Sequence, residues 1–319
     1  MTAIIKKRRA KWVAYINLSR REFLAGAAAV GLLKASGFAL ADDRPMLRRK
    51  IPGSGEELPL IGLGTSRVFN VDDSPEQRAP LKAVINELLE GGGNVIDTAP
   101  SYGLAESVVG DLVADLGQPR RIFLATKVAA NGKEAGTRQI QNSFKDLRTG
   151  VVDLYQVHNL RDTKRQLGLL RELQAEGKIR YIGVTHYVDS QHDELETWVR
   201  QEKMDFLQFN YSIAGRTAEQ TLLPLCADLG VATMINRPFE RGRLFRSVKG
   251  KSLPPWAIEF DCHSWGQFFL KYLAAHPAVT NIIPATANPH HMLDNIQAGK
   301  GAMPNSRQLV KMIELIDDL

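Results

Sequence analysis

From residue 58 onward the hydrophobic positions fall into two alternating rhythms. Short apolar runs at 58–64, 95–96, 122–128, 152–157, 179–184, 206–209, 231–235 and 279–283 have the length and residue types of buried strands. Between them apolar residues recur every three or four positions. That spacing predicts helices over 75–90, 105–116, 138–147, 164–175, 194–201, 218–229, 265–275 and 290–298, with a closing helix over 307–316. The first helix is the best marked: Ser74 stands at the N-cap, Pro75 at the first helical position, and Gly91, Gly92 and Gly93 stop it.

Strand–helix units of roughly 25 to 40 residues predict a parallel sheet with helical crossovers. Eight such units close on themselves. The expected fold class is therefore α/β, a (β/α)8 TIM barrel, filling residues 42–319 as one domain. A doubly wound open sheet is the competing arrangement, but no Gly-x-Gly-x-x-Gly fingerprint follows the first strand. Residues 47–57, with Pro52, Gly53 and Gly55, read as a hairpin or plug ahead of the barrel.

The first 41 residues obey a different pattern. The chain's net charge of +6 suggests a nucleic-acid or membrane partner until the charge is located. Eight basic residues lie in residues 1–41 against Glu22 alone, so that segment carries +7 and the remainder −1. A near-neutral body has no electrostatic footprint for nucleic acid. Within the segment, Ser19-Arg20-Arg21-Glu22-Phe23-Leu24 precedes an apolar stretch over 25–33, and Ala39-Leu40-Ala41 follows. Charged, apolar, then small is the order of a removable signal, and the apolar stretch falls short of the ~20 residues a bilayer crossing needs. The arginine pair resembles a twin-arginine (Tat) signal. The resemblance implies export of the folded chain to the periplasm by the Tat translocase, cleavage after Ala41, and no stable membrane anchor. The alternative is a surface amphipathic helix with a chance pair of arginines. Cys226 and Cys262 are too few for a disulfide framework and read as buried thiols.

In a closed parallel barrel, chemistry sits where the strands end. Here the second strand runs into Asp97-Thr98-Ala99-Pro100-Ser101-Tyr102-Gly103, the third into Thr126-Lys127, the fourth into His158-Asn159 and the fifth into Thr185-His186. Each residue alone has an ordinary structural explanation as a turn, a packing ring or a solvated strand end. Together, Asp97, Tyr102, Lys127 and His158 make an acid–base set. A phenol is a poor donor near neutral pH, a lysine ammonium beside it lowers its pKa, a carboxylate keeps that ammonium charged, and a histidine hydrogen-bonds a substrate oxygen. The set suits protonation of a carbonyl oxygen while hydride reaches the carbon.

At these residues the chain resembles the aldo-keto reductase family. The carriers of the resemblance are Asn94-Val95-Ile96-Asp97-Thr98-Ala99 with Tyr102-Gly103, then Glu106 and Gly110, Thr126-Lys127-Val128, the run 152–158 ending in His158, and the run 177–184. The resemblance implies a catalytic tetrad of Asp97, Tyr102, Lys127 and His158, with Tyr102 as general acid. It implies a nicotinamide cofactor, NADP(H) or NAD(H), and a small-molecule carbonyl substrate. Thr185, His186 and Gln208 match the residues that hold the nicotinamide carboxamide. Thr65, Asn236, Arg237, Phe239, Arg241, Arg243, Thr286, His291, Asp294 and Asn295 fall in the remaining cofactor-contacting stretches.

Two departures from the family pattern stand out. Asn236 occupies the position of the aromatic ring that stacks on nicotinamide, and an amide has no such face. Ala285 and His291 align with the cations that grip the 2′-phosphate of NADP, which weakens the expectation of NADP over NAD. A cofactor-bearing redox sensor on the same scaffold is a rival reading: the intact tetrad opposes it, and the altered Asn236 and Ala285 favour it. A barrel hydrolase or lyase would need a metal cluster or carboxylate pair at the strand ends, and the tandem His290-His291 is not helical metal spacing.

Overall fold

The computed structural model describes residues 44–117 and 121–319. The expected twin-arginine signal and its expected cleavage site lie outside the described residues. The described chain opens with an antiparallel hairpin, β1 (Arg48–Lys50) against β2 (Glu57–Pro59). Eight parallel strands follow: β3 (Leu63–Gly64), β4 (Val95–Asp97), β5 (Phe123–Val128), β6 (Val152–His158), β7 (Ile179–Thr185), β8 (Phe206–Asn210), β9 (Ala232–Asn236) and β10 (Asn281–Ile282), in sequential order across one sheet. Parallel bridges from Ile61 to Ile282 and from Gly64 to Ala285 join its two edges, so the sheet closes as a (β/α)8 barrel.

Helices α1 (Pro75–Glu90), α2 (Ala105–Asp115), α3 (Lys133–Asp146), α4 (Thr163–Ala175), α5 (His192–Gln201), α6 (Leu222–Leu229), the short α7 (Arg243–Ser247), α8 (Trp265–Ala274), α9 (Pro289–Ala298) and α10 (Ser306–Asp317) cover the outside. Caps set several of the starts. Ser74 accepts from the N–H of Gln77 above α1, and Asn305 forms a reciprocal capping box with Gln308 at α10.

Two apolar cores result. The larger lies between sheet and helices; the smaller fills the lower barrel with Val95, Phe123, Leu154, Tyr181, Phe206, Ala232, Met234 and Ile283. Ile51 and Leu58 of the hairpin join the smaller core, so residues 47–57 plug the barrel floor. Side chains alternate faces along a strand, and the same inward face turns polar two residues later, from Leu154 to Gln156 and His158, and from Ala125 to Lys127. The barrel is therefore sealed below and chemically equipped above.

The apolar run at 58–64 does not form one strand. Leu60 still donates to the Leu47 carbonyl of the hairpin at 2.8 Å while its own carbonyl accepts from Ile282 at 2.8 Å, so the chain passes from hairpin to barrel at Leu60 and Ile61. The last strand is shorter than the apolar run 279–283, because Thr280 and Thr233 exchange side-chain-to-backbone bonds of 3.0 Å each at its start. Helix α3 begins five residues before the predicted 138, directly after Gly132 (φ 85). The predicted helix over 218–229 is divided into a 3-10 turn, Thr217–Gln220, and α6. Both cysteines are free and buried. Among the described residues no helix is long and apolar enough to cross a membrane, and no cluster of His, Cys, Asp and Glu could hold a metal ion.

Candidate active site

The strand ends converge on a cavity of about 750 Å³ at the upper mouth of the barrel. At its base Lys127, on β5, is wholly buried and donates to Asp97 Oδ2 at 2.6 Å and to the Thr98 carbonyl at 2.8 Å. The other Asp97 oxygen accepts from Gln208 Nε2 at 3.0 Å and from Gln156 Nε2 at 3.4 Å. Thr185 in turn donates to Gln208 Oε1 at 3.0 Å. This network spans five strands and gives the buried carboxylate a partner on each oxygen, which an interior charge requires.

Tyr102 reaches the ammonium from a loop. Pro100 starts a 3-10 turn that ends at Tyr102, and Gly103 (φ 68) reverses the chain at once. A Cβ at Gly103 would lie 2.2 Å from Asn70 Oδ1, while the same oxygen accepts from the N–H of Leu104 at 2.9 Å. Only glycine fits both the left-handed backbone and this close approach. The Tyr102 ring lies 5.3 Å from Lys127 Nζ, close enough for the ammonium's charge to act on its phenol. The His158 ring meets it edge-on, with centroids 5.8 Å apart.

Burial works against the charge on Lys127, but Asp97 and Tyr102 outweigh it and hold the ammonium above its ordinary range. Burial pushes the Tyr102 phenol up, and Lys127 reverses only part of that rise. The expected net lowering by lysine is therefore absent, because desolvation of a phenolate in this cavity exceeds the pull of the ammonium. The phenol is thus loaded with its proton. Burial, with Lys127 and His186 adding to it, brings His158 down to about 3, so its imidazole is neutral. Ser101 Oγ lies 3.3 Å from His158 Nδ1, which leaves Nε2 for a ligand in the cavity.

Of the residues expected to touch cofactor, Thr65, Thr185, Gln208, Asn236, Arg237, Phe239 and Arg241 line this cavity. Six others do not. His186 is turned aside, its Nδ1 accepting from the N–H of Tyr187 at 2.9 Å. Arg243 is paired with Glu240. Asp294 is held by Ser264 at 2.6 Å and Gln267 at 2.8 Å, and Thr286 accepts from the N–H of Asn288 at 3.0 Å. Asn295 is buried in α9, whose exposed His291 also lies away from the cavity lining. Residues that the sequence reading passed over also line the cavity: Arg67, Ser101, Tyr187 and Phe245. Ser101 sits inside the Asp97–Gly103 motif and Tyr187 directly follows Thr185-His186, so strand-end position was the available signal. Phe245 follows a turn whose short helix the hydrophobic rhythm does not mark.

The aldo/keto reductase family model matches residues 60–317. Aldo-keto reductase YhdN of Bacillus subtilis is 29% identical over 226 residues, spanning 66% of this chain and 66% of its own length. The NADH-specific methylglyoxal reductase of Escherichia coli is 28% identical over 242 residues, 65% of this chain and 72% of that one. Among solved structures, an aldo/keto reductase from Klebsiella pneumoniae in complex with NADP and acetate superposes with a TM-score of 0.72 at 28% identity, covering 84% of this chain and 94% of that one. With the family's model matched across nearly the whole barrel, the chain belongs to the aldo/keto reductase family.

Proposed function

We propose that this protein reduces an aldehyde or ketone to the alcohol with a nicotinamide cofactor, and oxidises the alcohol in the reverse direction, with Tyr102 as the proton donor. The observation that carries the reading is the protonated Tyr102, its ring 5.3 Å from the ammonium of a buried, Asp97-held Lys127, with a neutral His158 beside it in the same cavity. His158 Nε2 holds the carbonyl oxygen near the phenol. As negative charge develops on that oxygen, Tyr102 transfers its proton, and Lys127 stabilises the phenolate left behind. A redox sensor without turnover has no need of this loaded donor.

The residues present fit a nicotinamide dinucleotide. Asn236 Oδ1 is buried without a hydrogen-bond partner, an acceptor open to a carboxamide N–H. The guanidinium groups of Arg67 and Arg241 on the rim suit a diphosphate. When bound, the cofactor supplies the hydride. Of the relatives, the Klebsiella pneumoniae structure holds NADP and the Escherichia coli methylglyoxal reductase is NADH-specific. Because neither Ala285 nor His291 is a Lys or Arg, a modest NADPH-to-NADH preference fits best; a kcat/KM ratio above about 100-fold, some 2.7 kcal/mol, would contradict it.

Tyr102→Phe tests the chemistry, since it keeps the ring and removes the proton. Turnover is expected to fall about 10²–10⁴-fold with dinucleotide binding retained. Near-normal turnover of the variant on any accepted carbonyl would overturn the assignment. Export to the periplasm by the Tat translocase belongs to the same proposal, supported by Arg20-Arg21, the weakly apolar stretch after them and Ala39-Leu40-Ala41. Arg20→Lys with Arg21→Lys leaves the charge unchanged and is expected to retain active, uncleaved protein in the cytoplasm. An intact Met1 on wild-type protein recovered from a membrane fraction would show an anchor instead.

A further inference from the structure

Three arginines line the cavity: Arg67 after β3, and Arg237 and Arg241 after β9. Asp97 is the single acid on its wall, and Lys127 already engages it at 2.6 Å. Arg243 nearby is neutralised by Glu240, whereas among the described residues no ion pair is recorded for the other three. Like charges gathered in one cavity without acids are unfavourable unless an anion joins them. A dinucleotide brings a diphosphate with two negative charges, which leaves one of the three cations over.

Arg237 differs from the other two. It is half-buried where Arg67 and Arg241 are exposed. Its guanidinium lies 3.9 Å from the centroid of the Tyr187 ring. Stacking on a ring occupies the face of the guanidinium and leaves its N–H edge for a second partner. Burial holds its pKa below the ordinary range, with the Arg241 and Arg67 charges adding to the effect. Arg237 directly follows Asn236, the last residue of β9, at the strand-end level where Tyr102 and His158 line the same cavity, whereas Arg241 lies in the turn beyond.

We infer that Arg237, seated on Tyr187, is the anion-recognition group for substrate, so that the preferred carbonyl compound carries a carboxylate or a phosphate close to its C=O. This deepens the reductase reading and rests on it. Its half-buried seat on Tyr187 in the cavity that holds Tyr102 and His158 favours this role over the cofactor contact that its sequence position suggests. The reaction balances as in the neutral case. Two electrons and a hydrogen pass as hydride from the reduced dinucleotide to the carbonyl carbon, Tyr102 gives a proton to the oxygen, and solvent reprotonates the phenolate. The anionic group leaves unchanged on the alcohol.

The test uses the full chain and paired probes, 4-formylbenzoate against 4-methylbenzaldehyde and glyceraldehyde 3-phosphate against glyceraldehyde. The wild-type enzyme is expected to favour one anionic member, and which pair shows the preference tells carboxylate from phosphate. In Arg237→Met the anionic-to-neutral ratio of kcat/KM is expected to fall about 10- to 100-fold, with the loss in KM. Arg237→Lys is expected to recover part of it. Calorimetric binding of 4-formylbenzoate and glyceraldehyde 3-phosphate to wild type and Arg237→Met gives a readout that needs no turnover. Binding of either that depends on Arg237 without any reduction would uphold the subsite and overturn the reductase reading. Turnover of neutral aldehydes with no anionic preference would overturn the subsite alone. An unchanged ratio with weakened dinucleotide binding in Arg237→Met would assign the arginine to the cofactor and also overturn it.

Discussion

Asp97 and Glu106 are both buried acids, 2% and 3% exposed, and each takes a short hydrogen bond from strand β5. Asp97 lies inside the barrel and receives Lys127; Glu106 lies outside it, on α2, and receives the neighbouring residue, Thr126, at 2.5 Å. Ser143 of α3 donates to the second Glu106 oxygen at 3.1 Å. One carboxyl thus has a full cation and the other has two hydroxyls. Burial raises Glu106 to about 7, and the hydroxyls offset only part of that rise. Lys127 beside Asp97 is instead held charged. Two adjacent positions on one strand therefore build a centre of permanent charge on the inner face and a proton-exchanging one on the outer face. In the proposed reaction that permanent charge stabilises the Tyr102 phenolate on every turnover. Behind the strand, the carboxyl ties α2 and α3 to β5.

The difference breaks most severely at Lys127. Lys127→Met keeps the volume and leaves Asp97 buried without its cation, at an expected cost of about 3–5 kcal/mol in denaturant unfolding, together with loss of turnover. Adding Asp97→Asn to that variant is expected to restore most of the stability and none of the activity. Recovery of both would show that the pair serves packing alone.

Glu106→Gln sharpens the contrast through pH. With its folded pKa near 7 against an ordinary value of 4.5, Glu106 in the native state binds more protons than in the unfolded chain between those values. Its contribution is therefore present below about pH 4.5 and is lost as pH rises through 7. The Gln variant lacks this slope. Its stability relative to wild type is expected to improve by on the order of 2 kcal/mol between pH 5 and pH 8. A pH-independent difference between the two proteins would contradict the neutral state of Glu106.

Thr126→Val is the mildest change. It removes one hydroxyl donor from Glu106 at about 1 kcal/mol, measured by unfolding. Because residue 126 faces away from the cavity, kcat is expected to stay within about twofold, far below the 10²–10⁴-fold effect of losing an acid–base group. A large fall in kcat would mean that the outer centre positions Lys127.

The hydrophobic rhythm was sufficient to read the barrel, since strands buried on both faces and helices with one apolar face leave different spacings. The meeting of Asp97 with Lys127 was equally legible, because chemistry-bearing residues recur at successive strand ends. Element edges were less so. The switch of Leu60 from hairpin to barrel and the Thr233–Thr280 exchange each divide or shorten a strand within an apolar run, and such competition depends on a partner distant in sequence. Glu106 was noticed only as a motif position. Its role needs the close seating of α2 on α3, where a Cβ at Gly110 would meet the Asp146 carbonyl at 2.2 Å.

The sequence by itself determined the eightfold alternation, the acid–base residue types and the order in which the strands present them, because these depend on spacing along one chain. Only the tertiary structure decided which cofactor-matched residues share the cavity. Asp294 is consumed by Ser264 and Gln267, Arg243 by Glu240, and the His186 ring by its own neighbour, while Arg67 and Tyr187 enter unannounced. The same is true of the proton on Tyr102. Lysine next to phenol predicts a lowered pKa from charge alone, but the depth of burial sets the opposing desolvation, and depth is a property of the closed barrel.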